Sequence, residues 1–238
     1  MKKLLLLLAI LIITAFSACS PQSEQPREAV PKTEPVYEKA TELTAYKGID
    51  VSSYSGSIDW KSVKKQGISF AMVRLGGRGF GDEGSLYADK TALDNIDSAQ
   101  KYGIEVGAYF FSQALTKAEA KQEAKYCAKL LGSRKLDLPI AYDLEKLDDT
   151  ETRVENLPYK TGLYNAKVFM KTVEKLGFKS AVYIEKNGFL KARDFDEAQV
   201  WYSDFGKAYK NSYLMLQYSK EGRLKGIDGS VDLDVMYR

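Results

Sequence analysis

The chain contains no histidine. That absence excludes a Ser-His-Asp triad, a Cys-His pair and any zinc site built on imidazole. Proton transfer near neutral pH is left to carboxyls, or less often to Lys, Tyr or Cys. Cysteine is scarce, with Cys19 and Cys127 alone. Excess charge is scarce as well. The formal net charge of +3 falls to +1 once Lys2 and Lys3 are set aside, so nothing points to nucleic acid. No Gly-rich nucleotide turn is present. The run GGRGFGDEG (76–84) follows a strand-like segment, but it leads into charged residues and lacks the Lys-Ser/Thr of a phosphate loop. It reads as a flexible rim loop, and neither a cofactor nor a metal is expected.

Of long apolar runs there is one, Leu4 to Phe16 behind Lys2 and Lys3. It is too short for a comfortable membrane span and reads as a secretory signal over residues 1–18. The residues FSAC (16–19) look like a bacterial lipobox, which makes Cys19 the lipidated first residue of the mature chain; Phe16 stands where leucine is commoner. The competing reading is ordinary cleavage beside Cys19, which would leave a Cys19–Cys127 disulfide open. Lipidation implies an exported protein held at a bacterial membrane, on the cell surface or the periplasmic face, without spanning it. Residues 20–45 carry four of the six prolines among many Ser, Glu, Lys and Gln. Such a stretch buries too little to fold, so 19–45 is expected to be a lipidated, disordered tether.

From residue 46 to 238 the composition supports a core, with 45% of the whole chain hydrophobic and 28% charged. Short apolar runs at 46–52, 69–75, 104–111, 138–144 and 180–185 alternate with helical patterns at 58–66, 90–102, 116–131 and 160–177. Near-continuous apolar strands between helices predict a parallel sheet covered on both faces. The last third adds strands at 200–203, 213–219 and 231–237 with little room for helices. The pattern predicts a single α/β domain, an irregular TIM-like barrel of eight strands. An open doubly wound sheet is the alternative.

The stretch LPIAYDLE (138–145) ends in two acids, Asp143 and Glu145. In an extended strand they point to one face with Cα atoms about 7 Å apart. Like charges at that range push one pKa up, which is how a general acid is made at neutral pH. Asp50 ends the apolar part of the first strand, and Asp232 lies on the last, its neighbour if the sheet closes. Four acids then converge at one barrel end, where chemistry is built. Their structural alternatives are helix or turn capping and ion pairs, for instance Asp232 with Arg74. Tyr109, Tyr183 and Trp201 at strand ends are candidates to stack on a ring of a bound substrate, or else plain core. Gln217 is a candidate partner for a hydroxyl or amide. The Asp148–Asp149 pair reads as a solvated loop.

Taken in order, GIDVSSYSGSIDW (48–60), FAMVRLG (70–76), GIEVGAYFFSQA (103–114), AYDLE (141–145), LQYS (216–219) and GIDGSVDLDVMY (226–237) resemble glycoside hydrolase family 25. The resemblance implies an irregular barrel of eight strands and about five helices. It implies an N-acetylmuramidase, or lysozyme, acting on peptidoglycan glycan strands as a monomer, without cofactor. By motif, Glu145 looks like the general acid, Asp143 its orienting neighbour, and Asp50 and Asp232 the remaining acids. Two positions depart from the family's common pattern. Phe110 follows Tyr109 where histidine is frequent, and Asp234 stands where asparagine is frequent. Alternatives are a catalytically silent glycan-binding lipoprotein on the same fold, or another N-acetylhexosamine glycosidase. A family 18 chitinase also ends a strand in D-x-E, but with a further Asp where this chain has Ala141.

Overall fold

A computed structural model of the chain describes residues 43–147, 151–205 and 212–238. The expected signal, Cys19, most of the tether and the Asp148–Asp149 pair lie outside the described residues. Nine strands form one sheet: β1 (Ala45–Val51), β2 (Ile68–Arg78), β3 (Leu86–Ala88), β4 (Glu105–Phe111), β5 (Ile140–Asp143), β6 (Ser180–Glu185), β7 (Val200–Ser203), β8 (Met215–Gly222) and β9 (Val231–Tyr237). The order is β1-β9-β8-β7-β6-β5-β4-β2-β3, and β1 also pairs with β2. Eight strands therefore close into a barrel, with β3 outside it as an appended hairpin arm. The open-sheet alternative is overturned by that closing pair.

Four α-helices cover the barrel among the described residues, where about five were implied: α1 (Trp60–Lys65), α2 (Ala92–Lys101), α3 (Lys117–Leu131) and α4 (Tyr159–Lys175). Local signals set their ends. Asp59 accepts from the backbone N–H of Lys61 and Ser62 to start α1, and Thr116 accepts from Glu119 to start α3. Their apolar stripes pack on the outer face of the strands. Ile96, Ala124, Cys127, Phe169 and Val173 join Val73, Val106, Phe110 and Tyr142 in one continuous buried cluster. Cys127 is buried and, among the described residues, a free thiol. A second, smaller cluster fills the barrel interior: Phe70, Met72, Leu138, Ala141, Ala181, Tyr183, Trp201, Met215 and Met236. Phe70 fits there because Gly48 opposite has no side chain; a Cβ on Gly48 would run into its ring.

Three features differ from the sequence expectation. The run at 76–84 is not a loop throughout. Gly76, Gly77 and Arg78 continue β2 and pair antiparallel with Ala88, Tyr87 and Leu86. At Gly76 a Cβ would meet the Tyr87 carbonyl, so the close approach requires glycine. Arg78 turns inward to a buried Glu123 at 2.8 Å. Second, β5 is shorter than 138–144 and ends at Asp143, leaving Glu145 two residues past the strand. Third, the barrel is not wholly parallel. Strand β9 runs antiparallel to both β1 and β8, with Asp232 level with Asp50. The start of β9 therefore lies beside the ends of its neighbours, and that reversal brings Asp232 to the same mouth as the other acids.

Candidate active site

All eight residues expected in the pocket line one cavity of about 130 Å³ at the barrel mouth: Asp50, Tyr109, Asp143, Glu145, Tyr183, Trp201, Gln217 and Asp232. Lys220 completes its wall. The cavity opens through Glu145 and Lys220 into a groove of about 710 Å³, flanked by Glu185, Lys186, Phe189, Asp204 and Phe205. Asp50 and Asp143 are contributed by the C-terminal ends of β1 and β5, Asp232 by the start of β9.

The acids are arranged as two linked pairs. Asp143 is buried, and its carboxyl shares a hydrogen bond with that of Glu145. Burial first, then the Glu145 charge, raises Asp143 well above the usual carboxylate range. Glu145 faces the groove. Burial and the neighbouring Glu185 push it up to about 7, against lowering pulls from the bond with Asp143 and then from Lys220. Their contact requires at least one proton on the two carboxyls, because two carboxylates have no donor to offer one another. The second pair is Asp50 and Asp232, across the β1–β9 ladder. Burial, followed by the charge of Asp232, raises Asp50 to about 7, and burial raises Asp232 while Lys220 lowers it.

Gln217 binds the second pair together. Its Nε2 donates to Asp50 Oδ2 at 2.8 Å and to Asp232 Oδ2 at 3.3 Å. Its Oε1 accepts from Tyr183 Oη and Ser203 Oγ, each at 2.9 Å. With two hydroxyls donating to the oxygen, the amide has one orientation, nitrogen towards the acids. The three rings form the cavity floor. Trp201 is 2% exposed and Tyr183 5%, so their faces are covered by protein. Trp201 packs edge-on against Tyr109 at 5.6 Å and Tyr183 at 4.8 Å between centroids. An open ring lies instead along the groove, the 53% exposed Phe205, with the half-buried Phe189 also in its wall.

The structural alternatives for the acids can be compared directly. Arg74 pairs with Asp89 at 2.8 Å, not with Asp232. Among the described residues Asp50 caps no helix or turn; its partners are Gln217 and Asp234. Sequence reasoning missed Lys220 as a wall of the pocket. From Gln217, strict alternation carries Ser219 inward and Lys220 outward. The register instead slips between Gln217 and Ser219, where two residues of β8 span one of β9. Such a bulge shifts the alternation by one, which no single-strand pattern reveals. Among the described residues no group of three or more His, Cys, Asp or Glu is arranged to hold a metal.

A closed α/β barrel with paired acids at its mouth, opening onto a groove, is the arrangement found in barrel glycosidases, whose chemistry needs two carboxyl groups. Residues 49–227 match the model of glycosyl hydrolases family 25, and the chain belongs to that family. The autolytic lysozyme of Clostridium acetobutylicum is 27% identical over 194 residues, covering 79% of this chain and 55% of that one. Lysozyme M1 of Streptomyces globisporus is 36% identical over 107 residues, 44% of this chain and 34% of the relative. The chain thus spans about half or less of the length of these relatives. Among solved structures, the modular autolysin LytC from Streptococcus pneumoniae, in complex with a synthetic peptidoglycan ligand, aligns with a TM-score of 0.67 at 27% identity. The alignment covers 82% of this chain and 47% of that one.

Proposed function

We propose that the protein is an N-acetylmuramidase, hydrolysing the β-1,4 bond between N-acetylmuramic acid and N-acetylglucosamine in peptidoglycan. The observation that carries this reading is the buried Asp143–Glu145 pair, which retains a proton and presents Glu145 to the groove. The lysozyme names of the two relatives, and the peptidoglycan ligand held by LytC, support the substrate class. In the proposed reaction Glu145 protonates the leaving glycosidic oxygen as its bond to the anomeric carbon breaks. The substrate's 2-acetamido oxygen attacks that carbon, with Asp143 accepting from the acetamide N–H. Water then opens the resulting ring and returns a proton to Glu145. Because the acid form of Glu145 is required, the rate falls as pH rises through about 7.

The test is cleavage of purified peptidoglycan by the full chain, with Glu145→Gln alongside. Reducing N-acetylmuramic acid ends, detected by mass spectrometry and lowered about a hundredfold or more in the variant, are expected. Glycan binding without any release would replace the hydrolase by a silent binding protein.

The N-terminal reading belongs to the same proposal. Cys19, behind Lys2, Lys3 and the apolar run, carries a lipid that holds the protein at a bacterial membrane, and the tether lets a monomeric barrel reach glycan strands. Cys19→Ala is then expected to leave the membrane fraction and to take up no labelled fatty acid when produced in bacteria. Unchanged labelling in the variant would rule the anchor out.

A further inference from the structure

Asp234 lies two residues beyond Asp232 on β9, points into the barrel and is fully buried. Its Oδ1 accepts from Trp201 Nε1 at 2.8 Å. Its Oδ2 has no donor among the described residues, yet the carboxyl lies within hydrogen-bonding reach of Asp50. Two acceptor-only groups in contact, one without any exposure to water, need a proton between them. The proton's place follows from the surroundings. Asp50 opens to the cavity and is already served by the Gln217 amide, whereas Asp234 has a single donor and no solvent. The ionised form is therefore cheaper on Asp50.

We propose that Asp234 is a positioning residue: a neutral carboxylic acid, anchored by Trp201, that donates a hydrogen bond to Asp50 and so keeps the negative charge on Asp50 at the cavity. The charged and titratable surroundings agree. Asp234 is faced by Asp50 from β1, by Asp232 on its own strand and by Tyr218 from β8, while β7 presents Trp201. Asp50 in turn is faced by Asp232, Asp143, Glu145 and Tyr109, with Lys220 the cation beside Asp232 and Glu145. Burial and the Asp50 charge both raise Asp234, and the bond it donates lowers Asp50. The inference rests on the proposed hydrolase reading only where activity is the readout.

The test has two arms. In the first, infrared difference spectra of the full chain against Asp234→Asn at pH 7 are recorded. Loss of a carboxylic-acid C=O band is expected; loss of a carboxylate band instead would overturn the proposal, whether or not the protein cleaves glycan. In the second, Asp234→Asn and Asp234→Leu are assayed across pH, with thermal melting to establish that each is folded. Asparagine can accept from Trp201 and donate to Asp50, so its activity stays near that of the unsubstituted chain. Leucine removes the donor, so Asp50 ionises only at higher pH; kcat falls about tenfold to a hundredfold, and the acid limb of the profile, where the cavity gains the Asp50 carboxylate, moves up by about one to two pH units. A Leu variant with an unmoved acid limb, or an Asn variant as impaired as Leu, would show that Asp234 serves packing alone.

Discussion

Gln217 is the residue on which two acids and two hydroxyls depend. Tyr183 and Ser203 both hold its oxygen, so loss of either hydroxyl leaves the amide oriented by the other. Loss of the amide is different. Gln217→Leu leaves the Tyr183 and Ser203 hydroxyls only each other and removes the common donor of Asp50 and Asp232, a stranded group costing about 1–3 kcal/mol. The proposed glycan cleavage is expected to fall at least about tenfold in Gln217→Leu, while Tyr183→Phe and Ser203→Ala change it much less. Steady-state assays on soluble glycan strands would check the contrast, and equal losses in all three would contradict it. At this scale the sequence was informative about chemistry and silent about connection. Eliminating histidine drew attention to carboxyls, and the D-x-E spacing named Asp143 and Glu145. The anchoring of Asp234 by Trp201, 33 residues away, has no local signature.

Elements were legible where one physical rule governed them. Strands β4 and β6 and helices α3 and α4 sit where apolar runs and helical periodicity place them, because each buries one face or both. The misread parts are those where a partner strand decides. Gly76 and Gly77 have turn-like composition, yet they lie in β2 because β3 folds back over them and leaves no room for side chains. Closure by β1 and the reversed direction of β9 depend on contacts between the two ends of the domain. A seven-residue strand carries no mark of its own direction, so only the register shows that Asp232 faces Asp50. The bulge in β8 belongs to the same category, and it turns Lys220 into the site.

For the whole molecule, the buried acids set a pH dependence of stability. Asp50, Glu145 and Glu123 ionise near 7 in the fold, from ordinary values of 3.8, 4.5 and 4.5; for Glu123 burial outweighs Ser112 and Arg78. Between those values and 7 the folded chain holds protons that the unfolded chain has lost, so stability falls as pH rises through that window. The opposing groups include the partly buried Asp89 and Glu119, besides the exposed Asp59 and Asp97. Despite burial, Asp89 is held low by the Ser53 and Thr91 N–H groups and Arg74, and Glu119 by Arg153 and the Leu115 N–H. Their contribution is present above the ordinary carboxylate range and lost in stronger acid. Thermal melting from pH 3 to 8 is expected to peak near pH 4 to 5. Glu145→Gln should raise the midpoint at pH 8, by about 2–4 °C for each kcal/mol relieved. A midpoint that climbs steadily to pH 8 would refute this. Thr44 and Arg238 exchange backbone hydrogen bonds at 3.0 and 3.2 Å, so both ends of the described domain leave from the pole opposite the acids. A bead, a dye or a second protein attached through either end would sit behind the barrel. The domain can therefore be immobilised on a sensor or carried as a fusion cassette with its mouth still facing solution.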